Sequence, residues 1–338
     1  MRTSKKYLFW GMALFAMSSC RWEEHDLLYH STPTDNFNLL WKVVDESYCY
    51  LDYKNIRWDS IKTVYATKVS DGMSDKELFD VCADMLNELK DGHVNLYSDF
   101  NVSRYWDWYL DYPQNYNGTL IERNYMGKDY LIAGGVYAQK IKDVGYLRYP
   151  SCMEQVTTAN IRGALELLGD VKGLIIDVRN NGGGALLYAL EFASHFFSEK
   201  TVVGYLRYKE GPGHSEFSKF YAQYVEPEDP AVFSGNIVVL TNRMVFSAAN
   251  ELVSAIKCLP NVTLMGDVTG GGGGAPLSAE LYNGWRVRIS RNPLFDVNKE
   301  HIEFGIAPDI RVDMDKDDEY NGVDTIIDSA VSYLVGGL

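Results

Sequence analysis

The sequence has little positive charge for its length. Lysine and arginine number 32 against 46 for aspartate and glutamate, which gives a formal net charge of −14 over 338 residues. Nucleic acids and anionic membrane surfaces attract proteins with an excess of basic residues, so this balance argues against both as partners. With 46% apolar and 23% charged residues, the composition is that of a globular protein with a sizeable core.

The chain also lacks an apolar stretch at its N-terminus that is long enough to span a membrane, since Tyr7–Met17 is too short. This stretch follows three basic residues and precedes Ser18-Ser19-Cys20, which is the pattern of an export signal. Small residues before a cysteine at this distance resemble a bacterial lipobox. The pattern predicts a lipoprotein signal peptide over residues 1–19, a lipid on Cys20 and a tether over residues 20–35. The alternative is an ordinary signal peptide with a structural cysteine.

Cysteine and histidine occur without the spacing of a metal site. The chain has five cysteines and six histidines but no CxxC pair and no histidine cluster, so the sequence implies no metal and no organic cofactor. Apart from Cys20, four thiols could pair in three ways in an oxidising compartment. Helix-like apolar patterns around Cys82 and Cys258 favour buried free thiols. For the other two, Cys49 and Cys152, the sequence does not choose between free and paired thiols.

Hydrophobic spacing divides the chain into three parts. Residues 36–96 carry apolar residues at helical intervals and a capping box at Ser74, which predicts a small helical bundle. Residues 97–143 are rich in aromatic residues and indicate a β-like connection. Residues 144–338 alternate strand-like and helix-like segments, which predicts a layered α/β core.

Two junctions in the α/β part carry the strongest functional signal. Ser247 follows a strand-like run over 236–241 and opens a helix-like run, so its hydroxyl is expected at the end of a sheet beside N–H groups without helical partners. A second strand-like run, 174–178, leads into Gly182-Gly183-Gly184, where backbone amides can approach a ligand without interference from a Cβ. The first junction offers a nucleophile and the second offers oxyanion donors.

Four motifs occur in a characteristic order: Asp-Val-Arg-Asn-Asn-Gly-Gly-Gly at 177–184, Thr-Asn-Arg-x-x-x-Ser-Ala-Ala at 241–249, Gly-Asp-x-Thr-Gly-Gly at 266–271 and Gly-Ile-Ala-Pro-Asp at 305–309. This set resembles peptidase family S41, which includes the C-terminal processing proteases, the tricorn core protease and the IRBP repeats. The resemblance covers roughly residues 36–338. It implies an α/β fold, a ClpP/crotonase-like spiral core preceded by a small N-terminal helical bundle. The segment between His93 and the strand-like run that begins at Val144 is too short for the PDZ domain that many processing proteases insert at this point.

The resemblance also implies roles for individual residues. Ser247 is the expected nucleophile, and His93 is the expected general base, as in the tricorn-like branch of the family. Glu303 would orient the imidazole, with Asp91 as the local alternative. The expected oxyanion donors are the backbone N–H groups of Gly184, Gly183 and Ala248.

Two positions depart from the family pattern. Gly272 stands where the Ser/Lys branch of processing proteases carries its lysine base, and Gly92 stands where the tricorn-like set has a serine before its histidine. Without that lysine, either His93 acts as the base or the protein is an inactive relative. The run Gly270–Gly274 is expected to form a mobile lip beside the site, because so many unrestrained φ angles are costly to order.

Other polar and aromatic residues near the motifs have simpler interpretations. Lys257 is expected to be a solvated charge at the end of the Ser247 helix. Asp177 and Arg179 are expected to pair structurally, and His214, in a loop-like segment, is a weaker candidate base. The aromatic stretch Tyr105–Tyr109 is expected to pack beneath a long connection rather than to line a groove.

The sequence therefore predicts a serine endopeptidase that hydrolyses peptides or unfolded proteins and is attached by its N-terminal lipid to a Gram-negative envelope, at the outer membrane. The alternative is an inactive lipoprotein of the same fold that binds peptides or apolar ligands. A crotonase-type acyl-CoA enzyme shares the expected fold and oxyanion hole, but exported proteins do not meet CoA.

Overall fold

A computed structural model describes residues 32–227 and 231–336 of the chain. The proposed signal peptide, Cys20 and most of the proposed tether lie outside these residues. In the two described ranges, no helix has the length and apolar character needed to cross a membrane. The helices are α1 Pro33–Ser47, α2 Trp58–Ala66, α3 Asp75–Asn87, α4 Asp107–Leu110, α5 Gly118–Leu120, a π-helix Ile121–Met126, α6 Thr158–Leu168, α7 Leu186–Ser194, α8 Ala248–Ile256, α9 Lys316–Tyr320 and α10 Thr325–Gly336.

The strands form two sheets. The strands are β1 Asn95–Tyr97, β2 Leu131–Ala133, β3 Val136–Ile141, β4 Val144–Arg148, β5 Gly173–Asp177, β6 Thr201–Leu206, β7 Tyr221–Val225, β8 Ile237–Thr241, β9 Val262–Gly266, β10 Gly274–Glu280, β11 Arg286–Phe295 and β12 Ile310–Arg311. The larger sheet has the order β12-β9-β8-β5-β4-β3-β2, and the smaller has the order β1-β11-β6-β7 with β10 also paired to β11.

The larger sheet is parallel from β4 through β5, β8 and β9 to β12. Every residue of β5 and β8 is buried, as expected for parallel strands with helices on both faces. Leu174 and Ile176 pack in a cluster with residues of α6, α7 and α8, whereas Ile175 packs in another with residues of α10. The carboxyl ends of β5 and β8 therefore lie side by side at one edge of the core.

The N-terminal helices pack against the smaller sheet. Apolar residues of α1 and α3 share one buried cluster with Val287 and Ile289 of β11. The short strand β1 pairs antiparallel with β11, with Asn95 opposite Arg288. This packing holds the segment between α3 and β1 against the core.

The aromatic segment 97–143 differs from the expected β-like connection. It contains α4, α5 and the π-helix, and its only extended parts inside the described residues after β1 are β2 and β3, which join the larger sheet. Aromatic residues favour strands when they fit a half-buried sheet surface, and here tertiary packing overrides that preference. Trp106 is 43% exposed, so the stretch Tyr105–Tyr109 is not uniformly packed inside.

The four cysteines in the described residues are free thiols. Cys82 is buried in the helical cluster, and Cys258 is half-buried beside the core. Both therefore agree with the expectation of unpaired cysteines at these positions.

Candidate active site

Ser247 lies in a strained turn between β8 and α8. It is the N-cap residue of α8 with φ 58° and ψ −126°, a backbone conformation that residues other than glycine rarely adopt. Two hydrogen bonds hold this turn: Ser247 N–H donates to Gly271 O at 2.9 Å, and Phe246 N–H donates to Asn181 O at 3.1 Å. A serine on a strained strand-to-helix turn is the arrangement in which a nucleophile is presented at the end of a sheet.

His93 lies against this serine. Its Nε2 is 2.8 Å from Ser247 Oγ, although the two residues are 154 positions apart in the chain. The His93 backbone N–H donates to Asp91 Oδ1 at 2.7 Å, and the imidazole packs on the ring of Phe246 with a centroid separation of 4.7 Å. A general base must be within hydrogen-bonding distance of the proton that it takes, and His93 meets this requirement.

The environment of His93 favours the neutral imidazole. Its side chain is almost fully buried, and burial lowers the pKa of His93 to about 4, with the Asp91 carboxylate acting in the opposite direction. Arg288 and Lys54 contribute to this lower pKa of His93. At neutral pH the ring is therefore unprotonated and able to accept a proton from Ser247. Its Nδ1 has no hydrogen-bond partner within the described part of the chain.

Glu303 lies in a buried group of charges, which we call the charge cluster: Lys54, Asp91 and Glu303. Glu303 Oε1 is 2.6 Å from Lys54 Nζ, and Glu303 Oε2 accepts a hydrogen bond from Gly273 N–H at 3.0 Å. Lys54 Nζ is 3.8 Å from Asp91 Oδ2. Glu303 thus binds Lys54 rather than the His93 ring, while Asp91 reaches the His93 backbone.

The glycine loop after β5 touches the turn at Ser247. A Cβ on Gly183 would lie 2.9 Å from both Ser247 Cβ and Ala248 N, so only glycine permits this approach. The Gly183 N–H donates to Asn181 Oδ1 at 2.9 Å and is therefore already engaged within the loop. This leaves the N–H groups of Gly184 and Ala248 as candidate oxyanion donors, and Ala248, at the first helical position, has no intrahelical acceptor.

A buried ion pair anchors the same loop. Arg179 Nη2 is 2.7 Å from Asp177 Oδ2, and Arg179 Nη1 is 3.0 Å from Asp324 Oδ2, with no exposure of these side chains to solvent. Tyr146 OH donates to Asp177 Oδ2 at 2.7 Å. Asp177 and Arg179 therefore pair structurally, as the sequence indicated.

The expectation of a mobile glycine lip is wrong, because Gly270–Gly274 are buried. Gly272 has φ +78°, and a Cβ there would lie 2.6 Å from the ring of Phe246. The glycines allow this segment to pack tightly under the aromatic ring beside Ser247. A lysine at position 272 would need both an unfavourable backbone conformation and the space that Phe246 fills.

Gly92 has a related explanation. A Cβ on Gly92 would lie 2.7 Å from Trp108 Nε1 and 3.0 Å from Phe246 Cζ. Trp108 stacks on Phe246 with a centroid separation of 4.3 Å. The aromatic pair Trp108–Phe246 therefore occupies the space next to Gly92 and Gly272, the two positions that depart from the family pattern.

A cavity of about 220 Å³ opens beside these groups. Its walls combine aromatic rings with charged side chains, among them Trp108, Tyr112, Arg243, Phe246, Glu303 and Phe304. Asp91 and Gly92 also line this cavity, whereas Lys54 does not.

His214 and Lys257 make contacts away from Ser247. His214 Nε2 is 2.9 Å from Asp45 Oδ1 in α1, and Lys257 Nζ is 3.4 Å from Asp309 Oδ1 with 40% of its side chain exposed. Lys257 is therefore the partly solvated charge that the sequence indicated, and His214 belongs to the surface of the helical part.

Sequence reasoning missed several residues that build the site. Lys54 follows α1 in a segment without any motif, and Asn250 in α8 donates from Nδ2 to Ile302 O at 3.0 Å, which holds the segment before Glu303. Asn181 holds the glycine loop through Gly183. Lys54 and Asn250 act on partners far away in the chain, so spacing alone gave no signal for them, whereas Asn181 acts on its own loop.

Comparisons with known proteins point to one family. The model of peptidase family S41 matches residues 143–312, and the model of the tricorn protease C1 domain matches residues 29–87. The carboxy-terminal processing protease CtpA of Bacillus subtilis (strain 168) is 26% identical over 183 residues, which cover 53% of this chain and 37% of that protein. The chain spans about two fifths of the length of the curated relatives that it matches.

Solved structures share the mixed α/β fold. Mature CPAF in complex with lactacystin is 13% identical, with a TM-score of 0.68 over 92% of this chain and all of that one, and this likeness concerns the fold alone. A crystal structure of a candidate peptidase from Parabacteroides merdae ATCC 43184 is 45% identical, with a TM-score of 0.87 over 90% of this chain and 97% of that one. Since the S41 model spans half of the chain and this relative spans nine tenths of it, the chain belongs to peptidase family S41.

Proposed function

We propose that this member of family S41 is a serine endopeptidase in which Ser247 is the nucleophile and His93 is the base. The observation that carries the proposal is the 2.8 Å contact between His93 Nε2 and Ser247 Oγ, made by a serine in a strained strand-to-helix turn. A serine hydroxyl becomes a useful nucleophile when an adjacent base takes its proton.

In this mechanism Ser247 Oγ attacks the carbonyl carbon of the scissile peptide while its proton passes to His93 Nε2. The oxyanion of the tetrahedral intermediate accepts hydrogen bonds from the N–H groups of Gly184 and Ala248. His93 then returns the proton to the leaving amine. Water hydrolyses the acyl-enzyme through the same base and restores Ser247.

Asp91 supplies negative charge near His93 when it becomes an imidazolium, and Glu303 adds to this charge when it is ionised. The Asp91 carboxylate already favours the protonated form of His93 by raising its pKa against the effect of burial. Asp91 also fixes the backbone of His93 through the 2.7 Å hydrogen bond. Each carboxylate thus supports proton transfer without being the base itself.

We further propose that the protein is a lipoprotein of the Gram-negative envelope, anchored through Cys20, and that its substrates are peptides or unfolded proteins in that compartment. The support is the basic, apolar and small-residue pattern that ends at Cys20. Wild-type protein made in a Gram-negative host should incorporate labelled palmitate and partition into the detergent phase. Cys20→Ala should lose both properties, and a labelled Cys20→Ala variant would rule out this anchor.

Labelling with a serine-directed fluorophosphonate, followed by mapping of the modified residue, tests the catalytic proposal. Wild-type protein should be modified at Ser247 and should cleave an unstructured protein, whereas Ser247→Ala should show neither reaction. An unmodified Ser247 together with peptide binding would instead support the inactive binding protein, the alternative suggested by Gly272 and Gly92.

A further inference from the structure

Lys54 is buried beside the proposed catalytic residues although it lies in the turn after α1. Its side chain is 6% exposed. Its Nζ is 2.6 Å from Glu303 Oε1, 3.0 Å from Tyr48 OH, 3.3 Å from Leu89 O and 3.8 Å from Asp91 Oδ2. Desolvation of a lysine is costly, so a lysine in this position requires partners that repay the loss of water.

The two carboxylates of the charge cluster differ in their other partners. Asp91 also accepts hydrogen bonds from Tyr48 OH at 2.9 Å, Ser290 Oγ at 2.9 Å and His93 N–H at 2.7 Å. Glu303 has, besides Lys54, the hydrogen bond from Gly273 N–H. The ionised form of Glu303 therefore depends on Lys54 more strongly than the ionised form of Asp91 does.

The electrostatic balance supports this distinction. Burial, and next to it the charge of Asp91, raises the pKa of Glu303 to about 8, and Lys54 acts against this rise. Although burial acts in the other direction, Lys54, His93 and the hydrogen bonds to Asp91 keep the pKa of Asp91 below its usual value. Two neighbouring carboxylates in a dry site cannot both remain ionised without a compensating cation.

We propose that Lys54 is a positioning residue that holds the Glu303 carboxylate in place and favours its ionised form, so that the active form of the protein has Glu303 negatively charged when His93 takes the proton from Ser247. This inference rests on the proposed function. Lys54 is not a replacement for the absent lysine base, because its Nζ is surrounded by oxygens of the charge cluster, Tyr48, Leu89 and Lys90.

The groups that act on this cluster come from several elements. Tyr48, Cys49 and Tyr50 follow α1, Asp91 and His93 precede β1, Arg288 lies in β11, and Glu303 lies between β11 and β12. Loss of the Lys54 charge raises the pKa of Glu303, because the cation favours its ionised form. Since the active form has Glu303 ionised, the acidic limb of kcat/KM moves to higher pH.

The test is the pH profile of peptide hydrolysis by wild-type protein, Lys54→Met and Lys54→Arg. A close opposite charge changes a carboxyl pKa by about 1–3, so the acidic limb of Lys54→Met should move upward by about that much on the pH axis. Activity on the acidic limb should fall about tenfold for each pH unit by which the limb moves. KM should change little, because the Lys54 side chain is buried and does not line the cavity beside His93, and Lys54→Arg should keep the wild-type limb.

A double-mutant cycle tests whether Lys54 acts through Glu303. In a Glu303→Gln background, Lys54→Met should change kcat at neutral pH by less than about twofold, since the group that Lys54 controls is absent. If Lys54→Met lowered kcat tenfold or more in the Glu303→Gln background, the inference would be overturned. An unshifted limb in Lys54→Met, or a movement of equal size in Lys54→Arg, would also overturn it.

Two further measurements cover a variant that fails to fold and an inactive wild type. If Lys54→Met does not fold, Lys54→Gln retains a hydrogen-bond donor without the charge, and its acidic limb should move in the same way. Fluorophosphonate labelling separates the two proposals. A wild-type protein without labelling or hydrolysis refutes the proposed function and this inference together, whereas an active wild-type protein with an unshifted Lys54→Gln profile refutes the role of Lys54 alone.

Discussion

The two sides of the candidate active site are built in different ways. Ser247 and the loop of Gly183 and Gly184 lie after β8 and β5, which are neighbouring parallel strands, so backbone geometry within two short segments places them together. On the other side, His93 and the charge cluster come from the turn after α1, the segment before β1 and the loop after β11. That side depends on side chains that meet only when the helical part packs on the smaller sheet.

Two buried glutamates also differ in their surroundings. Burial raises the pKa of Glu251 in α8 to about 8, and burial together with Asp91 raises the pKa of Glu303 to about 8. Glu303 has Lys54 as a partner, whereas Glu251 Oε2 has no hydrogen-bond partner in residues 32–227 and 231–336. A similar rise in pKa therefore accompanies two different structural settings, and Glu251 is a matched control for Glu303.

The largest expected effect is the loss of the contact that joins the two sides. Ser247→Ala should lower kcat by a factor on the order of 10⁴–10⁶ while the protein remains folded, because the hydroxyl is the whole nucleophile in the proposed mechanism. His93→Ala should lose a similar amount, and the double variant should be little worse than either single one. Steady-state kinetics with circular dichroism measures this, and losses that multiply would show that the two residues do not share a step.

A smaller effect is expected from a backbone change in the glycine loop after β5. Gly184 has φ +145°, and a Cβ there would lie 2.5 Å from Cys152 O, so Gly184→Ala must displace the loop that carries the candidate oxyanion donor. Loss of one such donor lowers kcat about 10²–10³-fold. Gly182→Ala is the control, since no atom lies within 4 Å of its added Cβ, and it should leave kcat unchanged. Equal kinetics for the two variants would refute this role of Gly184.

Restoring a lysine should not convert the site to the Ser/Lys type. Gly272→Lys should fail to rescue His93→Ala, because φ is +78° and Phe246 fills the space that the side chain needs. The strained backbone should cost about 1–3 kcal/mol in the free energy of unfolding, measured with urea. Gly163→Lys, in α6 with open space around the added Cβ, should not be destabilised. Clear rescue by Gly272→Lys would show that the site works with a lysine base.

Replacing Glu303 or Glu251 with glutamine should affect activity differently and the pH dependence of stability in the same direction. In Glu303→Gln, the acidic limb of the remaining activity should move from near the pKa of Glu303, about 8, towards that of His93, about 4. Glu251→Gln should retain the wild-type limb. A wild-type limb in Glu303→Gln would show that Glu303 does not need to be ionised for catalysis.

The stability effect has the same sign for both residues. A carboxyl whose pKa is higher in the folded state stabilises the protein fully below its unfolded pKa, about 4.3, and this contribution is lost as pH rises through about 8. Each glutamine variant should therefore show a flatter dependence of the free energy of unfolding on pH over this range. Urea titrations at several pH values measure the slope, and an unchanged slope in Glu251→Gln would contradict its raised pKa.

The smallest effect concerns backbone strain in the turn at Ser247. Ser247→Gly should be more stable than Ser247→Ala by about 1 kcal/mol, because glycine adopts φ 58° without a steric penalty. Both variants lack the hydroxyl, so the comparison isolates the backbone. Equal stability in urea unfolding would show that the turn holds no strain.

The alternating elements of residues 144–338 were predictable because their signals are local. Buried parallel strands such as β5 and β8 are continuous apolar runs, and the helices between them carry apolar residues at helical spacing. Residues 97–143 were not predictable in this way, since their aromatic residues suit both a strand and the helices observed there. Propensity in that segment yields to packing against the core.

At the site, short ordered motifs in the sequence pointed to Ser247 and the glycine loop, and the resemblance to family S41 pointed to His93. Tertiary structure decided which groups surround these residues. It paired Glu303 with Lys54, engaged the Gly183 N–H within its loop, and packed Gly272 beneath Phe246. The physical reason is the range of the interactions. Motifs encode backbone turns between neighbouring residues, whereas buried charges and rings acquire their partners only when distant segments exclude water between them.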